Sequence, residues 1–218
     1  MTQIKVLIYS GTGAITSCVN GVKNRLAECN SGSLVKGYTF SVSTSTSITS
    51  SKLSGYDVVV FPGGTGKTYI NNVSSTVVKN FVKAGGGYIG ICAGAYAGLK
   101  HVDSYYDGWG VAPHYYGKAC SHEGTLPVTM SSYGKTFFGQ STANMAHYNG
   151  PLMYKKTSGG GVTQATFTDN SITGGKGYAA IIYDTYGKGR TMLSSVHPEL
   201  TPTFPKFVGR MVRFVSQK

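Results

Sequence analysis

Two short apolar runs, Val58–Phe61 and Tyr88–Ile91, constrain the fold of this chain more than any other feature. Each is too short for a helix, is followed within three residues by glycine, and leads into helical periodicity. Ile4–Tyr9 has the same form and ends at Ser10-Gly11-Thr12-Gly13; Ala14–Glu28 then carries Ile15, Val19, Val22 and Leu26 at helical spacing. Asn71–Ala84 reads as an amphipathic helix through Val73, Val77, Val78, Phe81 and Val82, stopped by Gly85-Gly86-Gly87, and Ala93–Leu99 as another helix. Strand and helix alternating at this pitch imply right-handed crossovers and a parallel sheet covered on both faces. The predicted fold class is α/β, a flavodoxin-like three-layer sandwich with a mostly parallel central sheet and extra β-strands in the C-terminal half.

The rest of the pattern is less regular. Leu34–Val42 reads as a strand and Ser43–Ser54 as a polar loop. Beyond residue 120 come shorter predicted strands at Thr125–Met130, Lys135–Gly139, Val162–Thr168, Tyr178–Tyr183 and Arg190–Val196, then a closing helix at Phe204–Val215. No repeat or linker divides the 218 residues, a length that suits one α/β domain, so residues 1–218 are expected to form one unit.

Charge bounds the partners. Twenty Lys and Arg against 8 Asp and Glu give a formal +12, a field that attracts anions. The basic residues are scattered, with no arginine-rich or base-stacking pattern, so no specific nucleic acid is expected. No apolar run approaches membrane-spanning length. The first residues read as a strand rather than a signal peptide. A cytoplasmic location follows if Met1 is native, a secreted one if a leader was removed. Cys18 and Cys29 share the first predicted helix, about 16 Å apart, so they are not expected to form a disulfide.

Three motifs carry chemistry. Phe61-Pro62-Gly63-Gly64-Thr65-Gly66-Lys67-Thr68 ends like a phosphate-binding loop, but the first glycine of that pattern is replaced by Phe61 and the loop is too short to wrap two phosphates. Gly90-Ile91-Cys92-Ala93-Gly94 is the glycine-flanked arrangement that permits a strained strand-to-helix turn; the turn lifts Cys92 above the sheet edge, and the helix N-terminus favours its thiolate. The bland alternative is a small buried cysteine at a glycine-rich turn. Ser194-Ser195-Val196-His197-Pro198-Glu199 follows the last predicted strand, and Pro198 holds His197 in extended geometry. Residues two apart in an extended chain face the same way, so Glu199 can orient and charge-stabilise the imidazole. The alternative is a helix initiated at Pro198.

Together, F-P-G-G, G-G-x-x-I-G-I-C-A-G-A-Y and S-S-V-H-P-E resemble the class I glutamine amidotransferase-like superfamily, and more closely the domain found N-terminal in biotin–protein ligases and as stand-alone prokaryotic proteins. The resemblance implies a Cys92–His197–Glu199 triad, with backbone N–H groups of Gly64 and Ala93 as an oxyanion hole and Lys67 on the rim. It implies a cysteine hydrolase acting on an amide or ester through a thioester, without a cofactor, on a small-molecule or peptide-like substrate, an anionic one being favoured by the charge. The alternative is a non-catalytic binding or regulatory domain that keeps the elbow. Tyr96 stands where glutamine-hydrolysing relatives carry glutamine, which speaks against free glutamine as substrate.

Gly63, Tyr96, Trp109, His147, Tyr148 and Asn149 are further candidate substrate-binding residues, with His147–Gly150 read as a turn. Ser104–Gly117, with five aromatics, is read either as a lid or stacking platform, or as a packed loop or oligomer contact. His114, Cys120, His122 and Glu123 lack zinc-finger or H-E-x-x-H spacing, so no metal is expected.

Overall fold

The computed structural model describes residues 1–218. In chain order the elements are β1 (Thr2–Tyr9), α1 (Thr16–Ser31), β2 (Tyr38–Ser45), α2 (Ser50–Leu53), β3 (Val58–Phe61), α3 (Gly66–Asn72), α4 (Ser75–Lys83), β4 (Gly87–Ile91) and α5 (Ala93–Gly98). They continue with β5 (Leu99–Val102), β6 (Tyr106–Asp107), β7 (Ala112–Lys118), β8 (Glu123–Met130), α6 (Ser132–Phe138), β9 (Thr142–Tyr148) and β10 (Leu152–Lys155). The last four are β11 (Val162–Phe167), β12 (Ala179–Tyr186), β13 (Gly189–Ser194) and α7 (Pro205–Ser216).

The strand order begins β2-β1-β3-β4-β13, and all four pairings are parallel. This is the flavodoxin-like half. From β13 the sheet continues antiparallel through β12, β10 and β7, with β5 parallel to β7, while β11, β8 and β9 branch from β12 as an antiparallel extension.

The parallel strands are buried on both faces, which is why they read as continuous apolar runs. Their side chains alternate. Val6, Ile8, Val58, Val60, Ile89 and Ile91 pack with Val19, Val22 and Leu26 of α1 and Phe207, Met211 and Val215 of α7. Leu7, Tyr9, Val59, Phe61 and Tyr88 pack on the other side with Leu53, Tyr69, Val78, Val82, Ala95 and Ala97 from α2 to α5. Helices thus cover both faces of the sheet, the three layers expected. In register, Ile8, Val60 and Ile89 are neighbours, as are Ser194 and Ile91, so β1, β3, β4 and β13 end along one edge. Loops and helix starts gather there, as is usual for ligand sites in open α/β sheets.

Several sequence expectations are corrected. Lys135–Gly139 is not a strand but belongs to α6, where the Ser131 side chain accepts from the Gly134 N–H and Gly139 ends the helix in the left-handed region at φ 77°. The helix expected over Asn71–Ala84 is two helices, because Val73 and Ser74 are extended and Ser74 caps α4 by accepting from the Val77 N–H. The polar loop Ser43–Ser54 contains the end of β2 and the Thr49-capped α2. The strand expected from Leu34 starts at Tyr38, and His147 and Tyr148 end β9 rather than forming a turn. The sequence reading also missed β5, β6, β7, β9 and β10, which are short or carry polar residues among the apolar ones and so show no long apolar run.

Candidate functional site

Cys92 links β4 to α5 with φ 52° and ψ −101°, a conformation that is costly for any residue with a Cβ and recurs at functional sites. The flanking glycines make that turn sterically accessible. A Cβ on Gly90 would lie 2.2 Å from the Gly94 carbonyl oxygen, and one on Gly94 would lie 2.0 Å from the Phe61 carbonyl oxygen. The Cys92 N–H donates to the Ser194 carbonyl at 2.8 Å, tying the elbow to the end of β13. Its thiol donates to the Tyr148 carbonyl at 3.2 Å.

His197 follows β13 at an isolated bridge to β9, where its N–H donates to the Ala146 carbonyl at 2.8 Å. The chain does not continue extended. Pro198 and Glu199 form a turn closed by the Leu200 N–H donating to the His197 carbonyl at 3.2 Å, and Glu199 reaches the imidazole across that turn. The His197 Nδ1 meets Glu199 Oε1 at 2.8 Å, and both side chains are buried. No helix begins at Pro198; the closing helix starts at Pro205. The other atoms of the pair, His197 Nε2 and Glu199 Oε2, are buried without a hydrogen-bond partner. Burial pushes the imidazole towards its neutral form, but the Glu199 carboxylate with its hydrogen bond, and the neighbouring thiols of Cys18 and Cys92, outweigh it. His197 therefore holds its proton well above the usual histidine range.

Cys92 and His197 share a cavity of about 610 Å³. Gly63, Gly64, Tyr96, Tyr148 and Asn149 also line it, with Lys67 and Glu123 supplying charge. Tyr96 is a strut: its hydroxyl donates to the Asn149 carbonyl at 2.8 Å. Ala93 is buried at the first position of α5, where a helix has no internal partner for its N–H. A cleft of about 660 Å³ at Asp103, Lys118, Tyr154 and Tyr178 shares no residue with this cavity and contains no thiol.

Four candidates do not line the cavity: Glu199, buried behind His197; Ala93, buried at the start of α5; and the substrate-binding candidates Trp109 and His147. Trp109 is buried in the core, its ring 4.7 Å from Phe61 and 6.2 Å from Tyr88. From Ser104–Gly117 it is Tyr106 that reaches the cavity instead. His147 points behind it, because side chains alternate along β9 and its neighbour Tyr148 takes the open side. The sequence reading missed Cys18. Instead of sitting on an ordinary helical surface, it lines the cavity from the first turn of α1, beside His197. The available signal was topological: the first turn after β1 opens at the same sheet edge as the elbow.

The loop at Gly63-Gly64 packs against the loop after β1. Ile15 N–H donates to the Gly63 carbonyl at 3.1 Å and Thr65 N–H to the Gly13 carbonyl at 3.0 Å. Ala14 and Gly64 are thus a non-hydrogen-bonded pair, and the Gly64 N–H is not consumed by it. A Cβ on Gly64 would lie 1.9 Å from the Gly13 carbonyl oxygen, so the packing of the two loops by itself requires glycine there. Lys67 Nζ lies 5.1 Å from the Tyr106 ring centre, on the cavity rim. Lys67→Ala is expected to have a mild effect on turnover, and titration of Mg-ATP should reveal no tight binding in either form. Tight binding lost with Lys67 would restore the nucleotide reading.

His147 offers a pH test. Its Nε2 faces the Gly150 carbonyl at 3.1 Å and its Nδ1 faces His122 Nδ1 at 3.1 Å. Burial, opposed by the hydrogen bond to Gly150, lowers it to about 4, with His122 and His197 adding repulsion. The unfolded chain binds the proton first, so the contribution is complete above the ordinary histidine value and is lost as pH falls towards about 4. Wild type should lose about 2 kcal/mol more than His147→Gln between pH 7 and pH 5. Urea melts at the two pH values measure this, and equal losses would contradict it.

Comparison with known proteins agrees with this architecture. Residues 4–108 match the family model described as biotin–protein ligase, N terminal. The chain is 28% identical over 166 residues to an uncharacterised protein of Chlamydia muridarum, covering 67% of this chain and 62% of that one. It is 27% identical over 166 residues to the biotin–protein ligase of Schizosaccharomyces pombe, covering 66% of this chain and 26% of that one. The chain thus spans less than two thirds of the length of both curated relatives. Among solved structures, PurLQS from Thermotoga maritima superposes with a TM-score of 0.63 at 12% identity, over 98% of this chain and 97% of that one. A ThuA-like protein from Bacteroides uniformis gives 0.66 at 12% identity, over 97% and 91%. These likenesses establish the fold. No helix is long and apolar enough to cross a membrane.

Proposed function

We propose that the chain is a cysteine-dependent hydrolase or acyl-transfer domain acting on an amide or ester bond, with residues 1–218 working as one unit. The observation that carries this reading is the unpartnered Nε2 of His197, in the wall of the cavity it shares with the Cys92 elbow, while Glu199 holds Nδ1.

In this reading the Cys92 thiolate attacks the substrate carbonyl carbon. The resulting oxyanion is held by the Gly64 and Ala93 N–H groups, a term worth roughly 3 kcal/mol per donor. His197 Nε2–H protonates the leaving amine or alcohol, and a thioester remains on Cys92. Water then attacks the thioester, giving its proton to His197, and the acid and thiolate are released. Glu199 keeps the ring oriented and its charged form stable throughout. Nucleophile, base and oxyanion donors all come from the chain, so the steps need no cofactor. The mixed charge of Lys67 and Glu123 at the cavity favours a polar small molecule or peptide-like substrate.

A second reading is favoured by Tyr96, whose bond to Asn149 spans the cavity wall: a binding or regulatory domain that retains the elbow. A panel of chromogenic amides and esters separates the two. The hydrolase reading expects release of the chromophore by wild type. If no member is turned over while a panel compound still binds Cys92→Ala, the binding-domain reading replaces it.

A further inference from the structure

The proposed hydrolysis uses one thiol, yet the cavity holds a second. Cys18 Sγ, a ring nitrogen of His197 and a carboxylate oxygen of Glu199 all lie within 4.8 Å of one another, and all three residues are buried. The cluster sits beneath Gly63: a Cβ there would lie 2.7 Å from Cys18 Sγ and 2.8 Å from His197 Cε1. In the same residues, His197 Nε2 and Glu199 Oε2 have no hydrogen-bond partner although both side chains are almost wholly buried. A buried ring nitrogen and a buried carboxylate oxygen left without partners beside a thiol are costly unless something pairs with them.

We propose that Cys18, His197 and Glu199 form a binding site for a thiophilic divalent cation of the zinc class. One sulfur, one nitrogen and one oxygen match the three protein ligands of an open zinc site. Ligand atoms around tetrahedral zinc stand roughly 3.5 Å apart, so the cluster needs only a modest contraction. The softness of thiolate and imidazole selects zinc over magnesium or calcium. Two of the three ligands, Cys18 and His197, line the cavity that Cys92 also lines, which gives a cation a route in. Sequence spacing gave no hint of this site because its ligands come from α1 and from the turn after β13, brought together only by the sheet edge.

On the proposed function above, a bound cation would occupy the imidazole and carboxylate that serve Cys92, so the metal would act as an inhibitor. The binding itself does not depend on that reading.

Equilibrium dialysis of the whole chain against zinc chloride tests the proposal. Wild type should bind one equivalent, and Cys18→Ser and Glu199→Gln should each weaken binding by about a hundredfold or more, since even indirect partners of a metal cost 10–100-fold. Cobalt(II) in place of zinc should show a sulfur-to-cobalt charge-transfer band that disappears in Cys18→Ser. Should Cys18→Ser fail to fold, zinc must still protect Cys18 of wild type from iodoacetamide. Absence of zinc binding by wild type, or wild-type affinity in a folded Cys18→Ser, would overturn the site. Turnover without zinc binding would remove this proposal alone, and zinc binding without turnover would remove only the hydrolase reading.

Discussion

Replacing Cys92 by alanine is expected to lower turnover of any accepted amide or ester by at least about 10⁴-fold, with the fold intact. His197→Ala should cost nearly as much, because its buried, unpartnered Nε2 in the cavity wall is the nitrogen that would pass the proton to the leaving group. Combining the two should cost little more than either alone, since nucleophile and base act as a unit. Glu199→Gln keeps the side-chain shape and should lose less than either. Circular dichroism and steady-state kinetics on the four proteins measure this. Additive losses, or a Cys92→Ala variant with wild-type turnover, would remove Cys92 and His197 from the chemistry.

Gly94→Ala is expected to be the most damaging single methyl group in the elbow. Its Cβ would lie 2.0 Å from the backbone oxygen of Phe61 in β3, which is hydrogen-bonded on both sides and fully buried. No flexible side chain is present to yield, so the strand or the helix must move. A loss beyond about 4 kcal/mol, or failure to fold, is expected. Gly64→Ala meets an equally close oxygen, that of Gly13 at 1.9 Å, but both lie in loops that can separate. Its stability loss should be smaller, with turnover suffering more because the loop carries an oxyanion donor. Gly174→Ala, where a Cβ meets nothing within 4 Å at φ +68°, is the control and should cost about 1 kcal/mol. Urea unfolding of the three variants tests the order, and an unperturbed Gly94→Ala would contradict the packing of the elbow on β3.

The parallel half of the fold was legible because its strands are buried on both faces, leaving uninterrupted runs such as Val58–Phe61 that no helix of that length would show. The antiparallel half was not. Strand β7 mixes proline, histidine, tyrosine and glycine, and β9 interleaves polar residues with small or flexible ones (Ala143, Met145, Ala146). Helix α6 hid behind Lys135 and Phe137–Phe138, which read as well in a strand as in a helix. The elbow and the His-Pro-Glu tripeptide were legible for a local reason: glycine and proline fix backbone geometry within a few residues, so the orientation of Cys92, His197 and Glu199 is written into short segments. Cys18 was not, because its place beside His197 depends on where the strands of the sheet end. Trp109 was misjudged from its place in a tyrosine-rich loop segment, of whose tyrosines only Tyr105 is exposed. The chain after α5 turns it inward onto Phe61 and Tyr88, where area burial outweighs its one unpaired N–H.

The central claim is that Cys92 becomes acylated with His197 as its base. Intact-mass spectrometry of the protein mixed with an activated acyl ester and quenched in acid tests it most directly. One acyl group should appear on Cys92 within the first turnover, be absent in Cys92→Ala, and form far more slowly in His197→Ala. Acylation spread evenly over the four cysteines, or formed on Cys92 at the same rate without His197, would contradict the account.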